Sequence, residues 1–377
     1  MGKHALLSAS SSHRWLNCPP SARLCEQYED KGSSYAAEGT DAHTLGEYRL
    51  KTALGIRAKD PTAHLTYYNE EMEECATGYA AYIMELVEAA KQTCADPVVL
   101  IEQRLDFSKY VEGGFGTGDA VIVADGSLHV IDMKFGKGWL ISAEDNPQMK
   151  LYALGALELF DGIYDIDTVS MTVYQPRREN ISTYTVSKEL LYDWAENVLM
   201  PAAKLAYAGE GEFKCGDWCQ FCRAKGNCRA RANANMELAK YDFTEPALLE
   251  NDEIANILGK VDALVSWAND VKDFALAEAL KGTVIEGWKV VAGRSNRKYT
   301  DELAVAETVK ATGVDPYEYK LLGITAMEKR LGKKRFEELL EGLVIKPQGK
   351  PVLVPLGDKR EQLNITSAAD DFADYES

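Results

Sequence analysis

Apolar positions recur at helical spacing from about Ser33 to Leu54 and again from Tyr67 to Thr93, a pattern that predicts two amphipathic helices. The period then changes. Val98 to Leu105 reads as a strand, and Gly113, Gly114, Gly116 and Gly118 break the chain before the next run. The segment DAVIVADGSLHVIDMK places two strands around Asp125-Gly126, a strong short hairpin signal. Asn146-Pro147 supplies a cap and a proline for the first turn, predicting a helix to about Phe160. Thr168 to Gln175 and Ile181 to Val186 read as strands, and Ser187 to Ala208 as a helix leading into a cysteine-rich stretch.

Beyond Arg231 the character of the chain shifts. Helical patterns cover Pro246 to Lys281, then a strand-like VIEGWKVVAG, then a helix from Asp301 to Thr312. The basic segment ITAMEKRLGKKRFEELL opens with a capping-box pattern, Thr325-x-x-Glu328. The last residues, SAADDFADYES, are acidic and predict a disordered tail. No internal repeat is visible. The expected organisation is a mixed α/β domain over 1–235, a mostly helical domain over 236–365 and a tail over 366–377.

The hairpin permits a register argument. If the turn centres on Asp125-Gly126, Ala124 faces Ser127, and Asp119 lies opposite Asp132. Val121 with Val130 and Val123 with Leu128 share that face. Opposed Cβ atoms in such a pair lie ~5 Å apart. Two carboxylates at that range repel unless a cation sits between them. Lys134, two residues past Asp132, projects from the same face. Two acids and a lysine on adjacent strands suit phosphodiester hydrolysis. The acids hold a hard divalent cation through oxygen, and the ammonium orients a nucleophile or stabilises developing charge. A surface hairpin whose acidic end Lys134 neutralises would carry the same residues. Gln148 and Tyr152, at i and i+4, share a face of the next helix, as contacts to a phosphate or base or as a half-buried tyrosine beside a surface glutamine. His43, in EGTDAHTLGEY, is either a structural histidine or a borderline ligand completing a manganese or magnesium site. Glu102 is a further ligand, an outer group or neither.

Charge and composition narrow the classes. The 377 residues carry a net charge of −17, which argues against a generally sticky nucleic-acid binder but not against a locally basic channel. A hydrophobic content of 46% excludes disorder throughout. No apolar run approaches the ~20 residues of a bilayer span, and the N-terminus lacks an apolar signal region, so the expected location is the cytoplasm. Of eight cysteines, four fall between Cys215 and Cys228, which suggests metal ligation or redox chemistry before disulfides. Basic residues gather at Arg223, Lys225, Arg229 and Arg231, at Arg294, Arg297 and Lys298, and at Lys329, Arg330, Lys333, Lys334 and Arg335. Each group is either a solvated face or a phosphate contact.

Taken in order, His43, Gly118-Asp119, Asp132-Met133-Lys134 and Gln148-x-x-x-Tyr152 resemble the RecB-like branch of the PD-(D/E)XK nuclease superfamily, over roughly residues 8 to 231. The resemblance implies a restriction-endonuclease-like mixed sheet flanked by helices. It implies that His43, Asp119 and Asp132 bind Mg²⁺ or Mn²⁺, that Lys134 assists catalysis, and that Gln148 and Tyr152 contact DNA near the site. A second layer resembles AddB-type helicase–nucleases and CRISPR adaptation exonucleases. There, one early cysteine and three late ones hold a [4Fe–4S] cluster that pins the ends of the domain together. Cys18, in WLNCPPSARL, and Cys219-x-x-Cys222-x5-Cys228 match it. Cys215 is an additional thiol and leaves open a zinc site of Cys215, Cys219, Cys222 and Cys228. Cys25, Cys75 and Cys94 read as small apolar residues. The family's placement of its cluster beside the DNA path makes Arg223, Lys225, Arg229 and Arg231 the implied DNA contacts.

The full chain also resembles an uncharacterised phage and prophage protein family, through Leu321 to Lys329 and Lys346 to Pro355. The expectation is a metal-dependent DNA exonuclease that processes DNA ends or single strands in a bacterial host. Phage single-strand-binding, annealing or replication proteins would be its partners. The rival readings are a non-catalytic DNA-binding or scaffold protein of a phage replication complex and, more weakly, a thiol oxidoreductase using Cys219 and Cys222.

Overall fold

A computed structural model describes residues 5–29, 32–237, 250–292, 300–317 and 320–345. Its centre is a five-stranded sheet in the order β1 (Val98–Asp106), β2 (Phe115–Ala124), β3 (Gly126–Met133), β4 (Ile166–Gln175), β5 (Asn180–Ser187). Neighbours are antiparallel except β3 and β4, which run parallel. A parallel pair needs a crossover, and Pro147–Phe160 provides it as a helix. The fold is mixed α/β with flanking helices and a helical C-terminal region, as expected from the sequence.

The hairpin follows the register argued from its turn: Ala124 pairs with Ser127 and Ala120 with Ile131. Gly126 takes φ +82°, a left-handed conformation that glycine adopts without a steric penalty. Strand alternation then sorts the faces. Val121, Val123, Leu128 and Val130 join one core, while Ala120, Ile122, Ile131 and Met133 join another on the opposite side.

In chain order the helices are α1 (Ser12–Asn17), α2 (Ser21–Glu26), α3 (Ser34–Ala53), α4 (Glu70–Ala90), α5 (Pro147–Phe160), α6 (Lys188–Trp194), α7 (Met200–Ala208), α8 (Arg229–Met236), α9 (Asn251–Leu280), α10 (Glu302–Lys310), α11 (Ile324–Leu331) and α12 (Lys333–Leu339). α3 and α4 cover the Ile122 face, and α5 lies on the Val121 face with the N-terminal segment. Side-chain caps open several of them, the Asn146 cap as the sequence predicts. Ser33 accepts from Ala36 N at 3.0 Å, and Asn69 accepts from Met72 N at 2.9 Å. Asn146 accepts from Gln148 N at 3.1 Å, fixing the first turn of α5. α6 and α7 read as one helix but are joined through a π turn, Ala195–Leu199, just before Pro201. Proline has no N–H to continue the ladder, and the wider turn absorbs the misfit.

The chain divides into two compact units, 1–291 and 292–377. Three details differ from the sequence reading. Val284 to Ala292 form no strand, because high β-propensity without a neighbouring edge makes no ladder. α11 begins at Ile324 with Gly323 as its cap, so Thr325 lies inside the first turn and caps nothing. The single basic helix is two, broken at Gly332 with φ +78°. Gly293, Arg294, Arg297 and Lys298, the Lys346–Pro355 segment and the 366–377 tail lie outside the described residues.

Candidate metal centre

The β2–β3 ladder ends at Ala120–Ile131. One step further on, the Asp119 carboxylate replaces a backbone acceptor: its Oδ2 receives the N–H of Met133 at 2.6 Å. The strands part here, and the acids line the parting. Asp119 is 8% exposed and Asp132 2%. From α3, His43 brings Nδ1 to 3.1 Å from Asp119 Oδ1. From β1, Glu102 completes the group. It sits between the pairs Ile101–Ala120 and Gln103–Gly118, opposite Asp119, with φ +50°. A left-handed non-glycine residue costs about 1 kcal/mol. Ligand atoms of His43, Glu102 and Asp119 all lie within 4.8 Å of one another.

Asp132 also binds two neighbours of its own. Its Oδ2 lies 2.8 Å from Lys134 Nζ, and its Oδ1 accepts from Gln148 Nε2 at 3.1 Å. The same Gln148 nitrogen lies 3.1 Å from the Tyr152 hydroxyl. The ring of Tyr152 packs where β2 has no side chain. A Cβ on Gly116 would come within 2.6 Å of its Cε1. The structure therefore brings together the side chains picked from the sequence, with one change of grouping. Glu102, left open by the sequence, joins His43 and Asp119, while Asp132 anchors Lys134 and Gln148. The β1–β2 register needed to foresee Glu102 depends on a loop that the sequence does not specify.

Crowded acids control the electrostatics. Burial raises the Glu102 pKa, and Asp119 adds to it, to about 7. Burial alone would lower His43, but Asp119, with Asp132 behind it, outweighs burial and lifts it to about 9. Burial raises Asp132, against the pull of Lys134. Lys134 is itself held up by Asp132 despite its own desolvation. Such a cluster suits a divalent cation, which would replace the protons. A further sign is Tyr79, 2% exposed, whose hydroxyl has no hydrogen-bond partner, and whose pKa burial, Asp119, Asp132 and Glu102 all raise. A water on a bound cation would satisfy it. Two carboxylates and an imidazole match the oxygen and nitrogen preferences of Mg²⁺ and Mn²⁺.

Cys18 closes α1, Cys219 lies in the 3₁₀ turn Asp217–Phe221, and Cys228 caps α8. These three and Cys222 line one pocket, together with Arg14, Lys214, Lys225 and Arg231. The N-terminal segment and the 217–227 segment meet around it: His13 Nε2 lies 3.1 Å from Asp217 Oδ2, and Tyr28 donates to Asn227 at 2.9 Å. Among the described residues, no three cysteine sulfurs fall within 4.8 Å of one another. Cys25, which reads as a small apolar residue, lies with its Sγ 3.7 Å from that of Cys222. The hydrogen bond from Cys222 pulls its pKa down to about 6, against burial. No sequence signal marked that contact.

The basic residues beside the pocket divide. Arg231 is 5% exposed and bonds Asp270 Oδ2 of α9 at 2.5 Å, and Lys225 lies 3.0 Å from the other oxygen. These two hold α9 in place. Arg223 and Arg229 are exposed. On α11 and α12, Lys329, Arg330, Lys333, Lys334 and Arg335 are exposed as well. Among the described residues no helix is long and apolar enough to cross a membrane.

The chain belongs to the family described as "Protein of unknown function (DUF2800)", whose model matches residues 4–361. A solved structure described as "Crystal structure of SSO0001" is similar over 50% of this chain and 95% of its own, at 15% identity and a TM-score of 0.25. A likeness at that level supports no functional reading.

Proposed function

We propose that the protein is a metal-dependent DNA exonuclease that processes DNA ends in phage replication or recombination. The observation that carries this reading is the convergence of His43, Glu102 and Asp119 within 4.8 Å, beside the Asp132–Lys134 pair. When bound, Mg²⁺ or Mn²⁺ supplies Lewis acidity and positive charge for the scissile phosphate. The protein does the rest. His43, Glu102 and Asp119 hold the cation. Asp132 holds Lys134 charged and aimed, so that the ammonium orients an attacking water and stabilises charge building on phosphate oxygens. Gln148 and Tyr152, fixed by Asp132 and by the α5 cap, position the strand.

The proposal includes a [4Fe–4S] cluster held by Cys18, Cys219, Cys222 and Cys228. Arg14 and Lys214 line the same pocket, with Lys225 and Arg231 paired to Asp270, and this positive lining supports an anionic, thiolate-ligated group. Zinc, with Cys215 replacing Cys18, is the alternative. Exposed Arg223 and Arg229 are the proposed phosphate contacts of this region.

The test is degradation of linear DNA by purified protein in Mg²⁺ or Mn²⁺. Asp119→Ala and Lys134→Ala should each abolish it. Wild-type rates in both variants would overturn the assignment.

A further inference from the structure

Residues 135–146 form a loop that leaves the site at one end and returns to it at the other. Lys134 precedes it, 2.8 Å from Asp132, and Gln148 follows it, 3.1 Å from the same carboxylate. The loop is pinned along its length. Gln175, 2% exposed at the end of β4, donates to the Trp139 carbonyl at 3.1 Å and accepts from Ile141 N at 2.8 Å. Asn180 donates to the Ile141 carbonyl at 3.1 Å and to Gln175 Oε1 at 2.8 Å. Ser182 accepts from Ala143 N at 2.9 Å. Lys137 lies 2.9 Å from Glu71.

A backbone clamped on both sides nevertheless turns two large apolar side chains to water: Trp139 is 78% exposed and Leu140 53%. Packing does not explain a buried glutamine that fixes the backbone of an unpacked indole. A surface that meets a ligand does. Five residues of chain reach at most ~18 Å, so the indole lies within a few nucleotides of the lysine. The net charge of −17 works against phosphate contacts over most of the surface. Stacking on a base face needs no charge.

We propose that Trp139 is a base-stacking platform that holds a single-stranded DNA segment against the metal centre. The proposal rests on the nuclease reading for its ligand. Bases in a duplex have their faces covered by neighbours, whereas a single strand offers them. Stacking tolerates every base, so the platform selects strandedness and not sequence.

The test is binding of a fluorescent oligothymidylate and of a matched duplex, without divalent metal, by wild type, Trp139→Ala and Trp139→Phe. Cleavage in Mn²⁺ is measured alongside. Trp139→Ala should weaken single-strand binding roughly five- to a hundred-fold, Trp139→Phe should retain most of it, and duplex binding should not change. Wild-type single-strand affinity in Trp139→Ala, or none in the wild type, overturns the platform. A Trp139→Ala variant that alters oligomeric state by light scattering but not DNA binding marks a protein interface and also overturns it. Normal cleavage with unchanged binding in Trp139→Ala leaves the nuclease standing without the platform. Trp139-dependent binding with no cleavage in any metal leaves the platform standing without the nuclease.

Discussion

His43 and Asp119 meet at 3.1 Å across 76 residues of sequence, an imidazole from α3 against a carboxylate where β2 leaves β3. In the absence of a cation, His43 and Glu102 carry protons. His43, lifted to about 9, is charged at neutral pH, and Glu102, lifted to about 7, is partly protonated. Cation binding requires both to give up their protons. Mn²⁺ affinity should therefore rise as pH goes from 6 to 9, with proton release seen by titration calorimetry in buffers of different ionisation enthalpy. An affinity independent of pH would contradict the ligand assignment.

Lys134 is the charge partner of Asp132, which is almost fully buried. Lys134→Ala should cost about 2 kcal/mol of stability, discounted because the lysine is partly exposed. Adding Asp132→Asn to that variant should recover most of the loss without restoring cleavage. Urea melts of the three variants decide the matter. An unchanged midpoint in Lys134→Ala would show that the pair does not hold the site.

Tyr79 tests whether the cavity beside the acids expects a hydrated ion. Without metal, Tyr79→Phe removes a buried hydroxyl that has no partner, so stability should hold or rise by up to about 1 kcal/mol. With Mn²⁺, the thermal shift on binding should be smaller than in the wild type. Equal shifts would place the hydroxyl outside the hydration sphere.

His129 gives an acid limb to stability. Burial lowers its pKa to about 4, and its Nε2 lies 2.7 Å from Thr172 Oγ1. The folded value is below the unfolded one of about 6.5, so the unfolded chain binds the proton first. The contribution of neutral His129 is complete above pH 6.5 and is lost between about 6.5 and 4, at up to about 1.4 kcal/mol per pH unit. His129→Gln should flatten that limb in urea titrations at pH 7.5 and 5.

Anaerobic purification with an iron count tests the cysteine pocket. Brown protein is expected, with colour and iron lost in Cys18→Ser and Cys219→Ser. Colourless, zinc-loaded protein that tolerates Cys18→Ser would move the site to Cys215.

The hairpin was legible because a two-residue turn fixes register, and register fixes which face each acid occupies. The α5 start was legible because Asn146 and Pro147 act on their immediate neighbours. Glu102 was not, since its position depends on the 107–114 loop, which sets the β1–β2 register. Cys25 was not, since it meets Cys222 only when α2 packs against a segment 197 residues further along the chain. Thr325 misled because a capping pattern competes with nearby residues for the cap position, and Gly323, two residues earlier, took it.

The one-dimensional order of residues determined the alternating faces of β2 and β3, the hairpin register from Ala120–Ile131 to Ala124–Ser127 and the Asn146 cap of α5, because turns, caps and pleats are set by interactions within a few residues. Tertiary structure alone decided that Glu102 joins His43 and Asp119, that Arg231 serves Asp270, and that Trp139 faces solvent from a clamped loop. Those outcomes depend on which distant surfaces bury one another, and burial is a property of the folded whole.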